Sequence, residues 1–420
     1  MTQRYDTYKD SGVQWLGEIP GHWEVLRNKS LLRMTEEKVG NRNDVTLLSL
    51  TRQGVIIRDL SEGKGKFPKD FETYLVVRPN NLVFCLFDID ETPRTVGLVR
   101  NYGMLTGAYT NFEVSEDIVL PEYVYCYYLQ IDDVKGLRPY YTGLRKVVKT
   151  NTFLQLRMPV PPLSEQRSIV SYLDDKCGKI DEWVTKKQKE VEHLQELKHR
   201  VIADAVTQGL NPHVKMKPTN IPWLKEIPEH WECVKLKMFC QDNKEKNKGN
   251  IESCVLSLSY GNIIVKKNVN FGLVPENYES YQIVNPGNII LRLTDLQNDH
   301  KSLRTGLVKN RGIITSAYVG LIVKNMNSEY TQLILHSYDV MKVFYGMGGG
   351  LRQSMSYTDI ANVYIPVPPL SEQRSIVSYL DAKTSKIDKL IANITREIEC
   401  IKEYKQRLIS DVVTGQIKVC

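Results

Sequence analysis

One feature restricts the possible folds of this chain more than any other. The sixteen residues Pro-Val-Pro-Pro-Leu-Ser-Glu-Gln-Arg-Ser-Ile-Val-Ser-Tyr-Leu-Asp, from Pro159 to Asp174, return unchanged from Pro366 to Asp381. Chance does not produce such an identity. Looser matches extend it, since Lys179-Ile180-Asp181 returns as Lys386-Ile387-Asp388 and the stretch from Glu196 to Thr207 returns as Glu403 to Thr414. The chain is therefore a tandem duplication with a step of 207 residues, and whatever it builds it builds twice.

Each copy of this segment reads as one long helix. The prolines hold the lead-in extended, Ser164 and Ser371 are expected to act as N-caps, and Glu165 and Glu372 fall in the first turn, where the helix dipole favours a carboxylate. No further proline interrupts either copy before Gln208-Gly209 or Gly415-Gln416. Ile387, Ile391, Ile394, Ile398, Ile401 and Leu408 follow the spacing 4, 3, 4, 3, 7 of a heptad seam. Ile180, Val184, Val191, Leu194 and Val201 hold the equivalent places in the first copy, with Lys187 as the polar counterpart of Ile394. About 45 residues at 1.5 Å each give a rod of roughly 65 Å, with Gly178 as the place where the first rod could kink.

So long a helix with a narrow apolar seam requires a partner, and the second copy is the nearest one. A long globular segment separates the two, so antiparallel pairing within the chain is the natural layout; the alternative is two amphipathic helices, each packed on its own domain. The expected fold is α+β. Two repeated globular domains, residues 1–157 and 211–365, are each followed by a helical region, residues 158–210 and 366–420, and the two helices pair as an intramolecular antiparallel coiled coil.

The globular segments are copies as well. Trp15-Leu16-Gly17-Glu18-Ile19-Pro20-Gly21-His22-Trp23-Glu24 matches Trp223-Leu224-Lys225-Glu226-Ile227-Pro228-Glu229-His230-Trp231-Glu232. The two tryptophans of each motif, Trp15 with Trp23 and Trp223 with Trp231, are expected to anchor the cores rather than to stack on bases, and no ligand set accompanies His22 or His230. Residues 46–51 and 254–259 read as strands, and the apolar run, turn, apolar run of residues 76–84 and 283–291 reads as tightly joined strands. Ala108-Tyr109 and Ala317-Tyr318 also match. Between these landmarks the halves diverge, most visibly in loops 61–69, 88–94 and 296–304.

At 420 residues the chain suits two domains with connectors. No run of eighteen apolar residues spans a membrane and the charged start is not a signal peptide, so a cytoplasmic protein is expected. The eight cysteines lack a C-x-x-C pair and are expected to be reduced thiols, with no metal site. The net charge of +7 lies mostly in residues 211–365, an excess that permits nucleic-acid binding without requiring it.

Glycine-led cations precede both helices: Gly143-Leu144-Arg145-Lys146 and Gly350-Leu351-Arg352-Gln353. A glycine beside an arginine lets a loop bring a cation close to phosphate, although a solvated turn fits as well. Arg145, Lys146, Arg352 and Gln353 are therefore candidate DNA contacts, together with Lys64, Lys66, Arg94 and Arg304 of the divergent loops and Lys266 and Lys267 of the second segment. The run Gly346-Met347-Gly348-Gly349-Gly350 lacks the register of a phosphate loop. The carboxylates Asp88-Ile89-Asp90-Glu91 and Asp132-Asp133 lack the positioned lysine of a nuclease and read as solvated loop charge. No methyltransferase tetrapeptide, Walker A sequence or nucleophile elbow is present, so no catalysis by the chain alone is expected.

Two divergent globular segments, each ending in Pro-Pro-Leu-Ser-Glu-Gln and a long heptad helix, resemble the specificity (S) subunit of type I DNA restriction-modification systems. The resemblance covers the whole chain, and the Trp-Leu-x-Glu-Ile-Pro-x-His-Trp pair adds to it. It implies two target-recognition domains that read the halves of a bipartite, asymmetric site in double-stranded DNA. It also implies a coiled coil that spaces them and docks two methyltransferase (M) subunits, with restriction (R) subunits joining that core. S-adenosylmethionine, ATP and Mg would then belong to the partner subunits, with no cofactor in this chain. The rival reading is a duplicated coiled-coil scaffold that binds only protein partners.

Overall fold

The duplication extends to sheet topology. The computed structural model describes residues 3–13, 15–42, 44–58, 71–266, 277–296, 303–347 and 354–419. The first copy holds a four-stranded antiparallel sheet in the order Leu32–Thr35, Thr110–Val114, Leu82–Phe84, Val96–Leu98. The second holds the same sheet in the order Cys240–Asp242, Val319–Val323, Ile289–Leu291, Thr305–Leu307.

The helices in chain order are α1 (Pro121–Asp133), α2 (Thr150–Gln155), α3 (Leu163–Gln208), α4 (Ser328–Val340), α5 (Tyr357–Ile360) and α6 (Leu370–Val413). Successive strand residues face opposite sides of a sheet, and here both sides of the inner strands Leu82–Phe84 and Ile289–Leu291 are covered, which is why these two are apolar throughout. Leu82 and Phe84 join Tyr123, Val124, Tyr127 and Tyr128 of α1 in one cluster, while Val83 joins Leu48, Val77, Val99 and Leu105 in another. The second copy repeats this, with Ile289 and Leu291 against Tyr330, Ile334 and Leu335 of α4, and Ile290 against Leu256, Val284 and Val308. Each fully buried aliphatic side chain contributes about 1.5–3 kcal/mol by leaving water.

The strand expectations hold. Leu48–Thr51 pairs with Gly54–Ile57, and Leu256–Ser259 with Asn262–Val265, as hairpins. The runs at 76–84 and 283–291 are strands joined by short turns, and the two strands of each run pair with other strands rather than with each other. Leu75–Val77 pairs with Gly103–Leu105 while Leu82–Phe84, beyond the turn at Pro79 and Asn80, belongs to the four-stranded sheet. Gln282–Val284 and Ile289–Leu291 separate in the same way.

Contacts divide the chain into two compact units, residues 1–187 with 396–420 and residues 188–395. The helical regions expected at 158–210 and 366–420 are each shared between them, so each unit owns the first half of one long helix and the second half of the other. Within the first unit Ile169 and Leu173 of α3 cluster with Leu408, Ile409, Val412 and Val413 of α6, and Lys405 bridges Asp181 at 2.7 Å. Within the second, Ile376, Val377 and Leu380 of α6 cluster with Ile202, Ala205 and Val206 of α3, and Lys198 bridges Asp388 at 2.6 Å. In both, earlier residues of one helix meet later residues of the other, which makes the pairing antiparallel. The two ion pairs are one interaction made twice, 207 residues apart.

The seam is buried as its spacing predicts. Val184, Ile387, Ile394, Ile398 and Leu408 are buried, and Ile180, Val191, Leu194, Val201, Ile391 and Ile401 are half-buried. The helix α3 runs unbroken through Gly178. Ser164 and Ser371 are not caps, because the helices begin one residue earlier, at Leu163 and Leu370. The carbonyl of Pro162 accepts the amides of Glu165 and Gln166 at 2.9 Å, and that of Pro369 accepts Gln373 at 3.0 Å. No described helix is long and apolar enough to cross a membrane.

Candidate nucleic-acid interface and its framework

The lead-in prolines lie in strands. Arg157–Val160 pairs with Glu24–Arg27 and Tyr364–Val367 pairs with Glu232–Lys235, so each helix starts beside the tryptophan motif of its own copy. Proline is tolerated there because each ribbon has only two strands.

That placement gives the repeated glutamate its task. Glu165 accepts from Trp23 Nε1 at 3.0 Å, from His22 Nε2 at 2.8 Å and from the Tyr5 hydroxyl. Glu372 accepts from Trp231 Nε1 and His230 Nε2, both at 2.7 Å. The two motifs found separately in the sequence thus form one joint, with Trp23 and Trp231 wholly buried as core anchors, whereas Trp15 is exposed and Trp223 half-buried, so the first tryptophan of each motif is not such an anchor. The adjacent glutamine fastens a different loop. Gln166 accepts from the Leu120 amide at 2.7 Å and donates to the Pro161 and Ile118 carbonyls, while Gln373 accepts from the Asn327 amide at 2.9 Å and donates to Pro368.

A tyrosine closes each joint. The Tyr123 hydroxyl reaches the carbonyls of Pro159 and Val413, both 3.1 Å away, and that of Tyr330 reaches Val206 at 3.0 Å and Pro366 at 3.4 Å. Each globular domain therefore grips the start of one long helix and the end of the other. Burial pushes both tyrosine hydroxyls well above their ordinary pKa, so they remain neutral donors. Gly209 and Gly415 end the helices at φ +78° and +74°, where a Cβ would come within 3.1 Å of Trp231 and Trp23 respectively. Sequence reasoning missed Tyr123 and Tyr330, although their spacing of 207 was there to be read.

The candidate cations fall into distinct environments. Arg145 is 74% exposed on a turn, stacked on Phe87 at 5.4 Å and 3.4 Å from Asp88; Leu144 beside it is fully exposed. Lys146 pairs with Asp90 at 3.1 Å and Glu91 at 3.4 Å. Of the carboxylates read as solvated loop charge, those at 88–91 are thus the counter-charge of this cationic turn, whereas Asp132 and Asp133 end helix α1 and Asp132 is buried, which corrects that reading for the second pair. Hydrogen bonds from Arg138, then Lys146, hold Asp90 below the usual carboxylate range. Lys266 is exposed at the end of its hairpin.

Arg94 sits 18% exposed between Asp132 and Asp133, at 3.4 and 3.2 Å. Arg304 requires a correction, since its side chain is fully buried. Its guanidinium donates to the carbonyls of Arg292, Thr294 and Asp295 and lies over Tyr345, bracing the chain around residues 292–296. Burial of an arginine is tolerated because carbonyls replace its lost water. Lys64, Lys66, Lys267, Arg352 and Gln353 lie outside the described residues, as do Gly348 to Gly350 of the glycine run.

The outer face of the sixteen-residue repeat is the other surface of interest. Pro162, Ser164, Arg167, Ser171 and Asp174 are exposed, and so are their identical counterparts Pro369, Ser371, Arg374, Ser378 and Asp381. Packing does not require exposed side chains to match. Among the described residues no group of three or more His, Cys, Asp or Glu side chains could hold a metal ion.

Comparison with known proteins agrees with this arrangement. Residues 228–400 match the family described as the Type I restriction modification DNA specificity domain. The chain is 25% identical to the MjaVIII type I restriction enzyme specificity subunit of Methanocaldococcus jannaschii over 96% of its own length and 94% of that protein. It is 27% identical to the putative MjaX specificity subunit of the same organism over 63% of this chain and 60% of that one. A chain from a structural study of the assembly and conformational transition of the type I R-M system superposes with a TM-score of 0.67. That match covers 94% of this chain and 98% of the other at 15% identity, and it shows a common fold.

Proposed function

We propose that this chain is a DNA specificity subunit of a type I restriction-modification system and that its globular domains read one half each of a bipartite, asymmetric target. In this non-catalytic subunit the copied framework would supply orientation and the divergent loops the base contacts. A phosphate-contacting role for Arg145 and Lys146 fits their exposed turn, with the carboxylates at 88–91 as a competing charge that phosphate would displace.

The observation that carries the proposal is the contrast between surfaces: the outer face of the repeat is identical in both copies, whereas the loops differ. Two identical faces suit two copies of one partner, here two methyltransferase subunits, and two different loop sets suit two half-sites. Restriction subunits would join that core, S-adenosylmethionine, ATP and Mg would be bound by the partners, and the assembly would work on DNA in the cytoplasm. A scaffold that binds only proteins gives no reason for the loops to diverge.

Reconstitution with the methyltransferase subunits, followed by mapping of methylated adenines, tests this reading. A two-part target is expected, and exchanging residues 211–365 for those of a relative should change only one half. Arg145→Ala should leave the target unchanged while lowering the salt slope of binding by about one unit. Methylation without sequence preference, or a domain exchange that changes neither half, would refute the proposal.

A further inference from the structure

We infer that the second unit contains a phenol-binding pocket, equivalent to the place that the first unit fills with its own Tyr5, and that a tyrosine of a docked methyltransferase subunit enters it. The choice of donor rests on the function proposed above; the pocket does not. In the first unit Tyr5 is 9% exposed, its hydroxyl donates to Glu165, and its ring lies 5.7 Å from that of His22 and 5.9 Å edge-on from that of Trp23. Beneath it the Glu165 side chain is 8% exposed.

The second unit repeats the platform without the tyrosine. Trp231 and His230 donate to Glu372 as their counterparts donate to Glu165. Tyr8 lies opposite Pro20 in its ribbon and Met216 opposite Pro228, so the place of Tyr5 passes to His213, which is exposed. The Glu372 side chain is 41% exposed. Over it opens a cavity of 240 Å³ lined by Gly209, Val214, Pro228, His230, Glu372 and Ile376. About 150 Å³ suffices to hold a benzene ring.

The lining selects a chemical class. Val214, Pro228 and Ile376 accept an apolar ring, while a carboxylate already held by two donors keeps acceptor capacity for one more hydroxyl. Phosphates and carboxylates are repelled by Glu372, and an aliphatic side chain leaves that acceptor unused. A neutral aromatic hydroxyl satisfies both requirements, as Tyr5 does in the first unit.

The test is titration of 4-fluorophenol into the full chain alone, followed by fluorine NMR. One saturable site is expected. Ser375 also lines the cavity, so Ser375→Trp, which fills it, should abolish binding; Glu372→Gln should weaken it about tenfold; and fluorobenzene should bind more weakly. Tyr5→Ala should raise the stoichiometry from one to two. Added methyltransferase subunit should displace the phenol. Binding unchanged by Ser375→Trp, or a folded Tyr5→Ala protein that still binds one phenol, would overturn the pocket. A complex that assembles and methylates its target while the phenol stays bound would overturn the tyrosine donor and leave the proposed function intact. Lack of sequence-specific methylation would sink that function while leaving phenol binding by the lone chain untouched.

Discussion

In the first unit Glu165 is buried beneath Tyr5, whereas in the second unit its counterpart Glu372 is two-fifths exposed beside an open cavity. The same pair of motifs makes the same hydrogen bonds in both. The difference arises because the first joint is completed by segments distant in sequence. The Lys418 amide donates to the Gln3 carbonyl at 2.8 Å and Tyr8 to the Gly415 carbonyl at 2.9 Å, while in the second unit the backbone runs directly from α3 into the strand Met216–Ile221. Duplication thus copied the donors and acceptors but not their covering, and stability should be distributed accordingly.

The comparison is tested most severely where the units ought to agree. Trp23→Ala and Trp231→Ala each remove a wholly buried indole and should each cost about 3–5 kcal/mol. Denaturant melts of the two variants should show losses of similar size. A cost for Trp231→Ala of less than half that for Trp23→Ala would mean that the second joint is not an equivalent anchor.

A difference of about 3 kcal/mol should appear on acidification. His336 of α4 packs 5.7 Å from His199 of α3, and burial, then His199 and Lys198, lowers its pKa from 6.5 to about 4. The folded state therefore binds fewer protons than the unfolded state between these values. Stability from the neutral ring is complete above about pH 6.5 and is lost as pH falls toward 4, a shift worth about 3 kcal/mol. In the first unit the equivalent residue is Leu129, so only the second unit should show this loss. His336→Leu should flatten the pH dependence of its melting temperature, and an unchanged slope would refute the assignment.

The exposed and buried carboxylates should differ by a smaller margin. Glu165→Ala orphans a buried Trp N–H and a buried Tyr hydroxyl and should cost about 3 kcal/mol, whereas Glu372→Ala, with water at hand, should cost about 1 kcal/mol. Equal costs would show that Tyr5 adds no isolation. The smallest effect concerns the interhelical ion pairs. Lys198→Ala and Lys405→Ala should each cost under about 1 kcal/mol, less at high salt, because their partners Asp388 and Asp181 are more than half exposed. Double-mutant cycles should return the same small coupling for both, and a coupling above about 2 kcal/mol in either would set that pair apart.

Much of this architecture was present in the linear order of residues. Sixteen repeated residues showed the duplication, a heptad seam indicated that each long helix needs a partner, and the spacing between copies favoured antiparallel pairing. These signals are legible because helical periodicity is local and repeats compare directly. The burial of the seam, from Val184 to Leu408, followed from side-chain order alone.

Tertiary structure decided what depends on neighbours far away in sequence. Glu165 looked like a dipole-favoured first-turn residue, yet its partners stand 142 and 143 residues earlier. Arg304 read as a loop cation, but its side chain is buried against the carbonyls of Arg292, Thr294 and Asp295. The acidic run at 88–91 looked merely solvated until folding set Arg138, Arg145 and Lys146 against it. A charge in a sequence has no partner until loops close, and loop closure is set by the packing of the whole domain rather than by any local pattern. For that reason the repeat could establish that the chain has two like halves, while only the fold could show that one half covers its carboxylate and the other leaves it open.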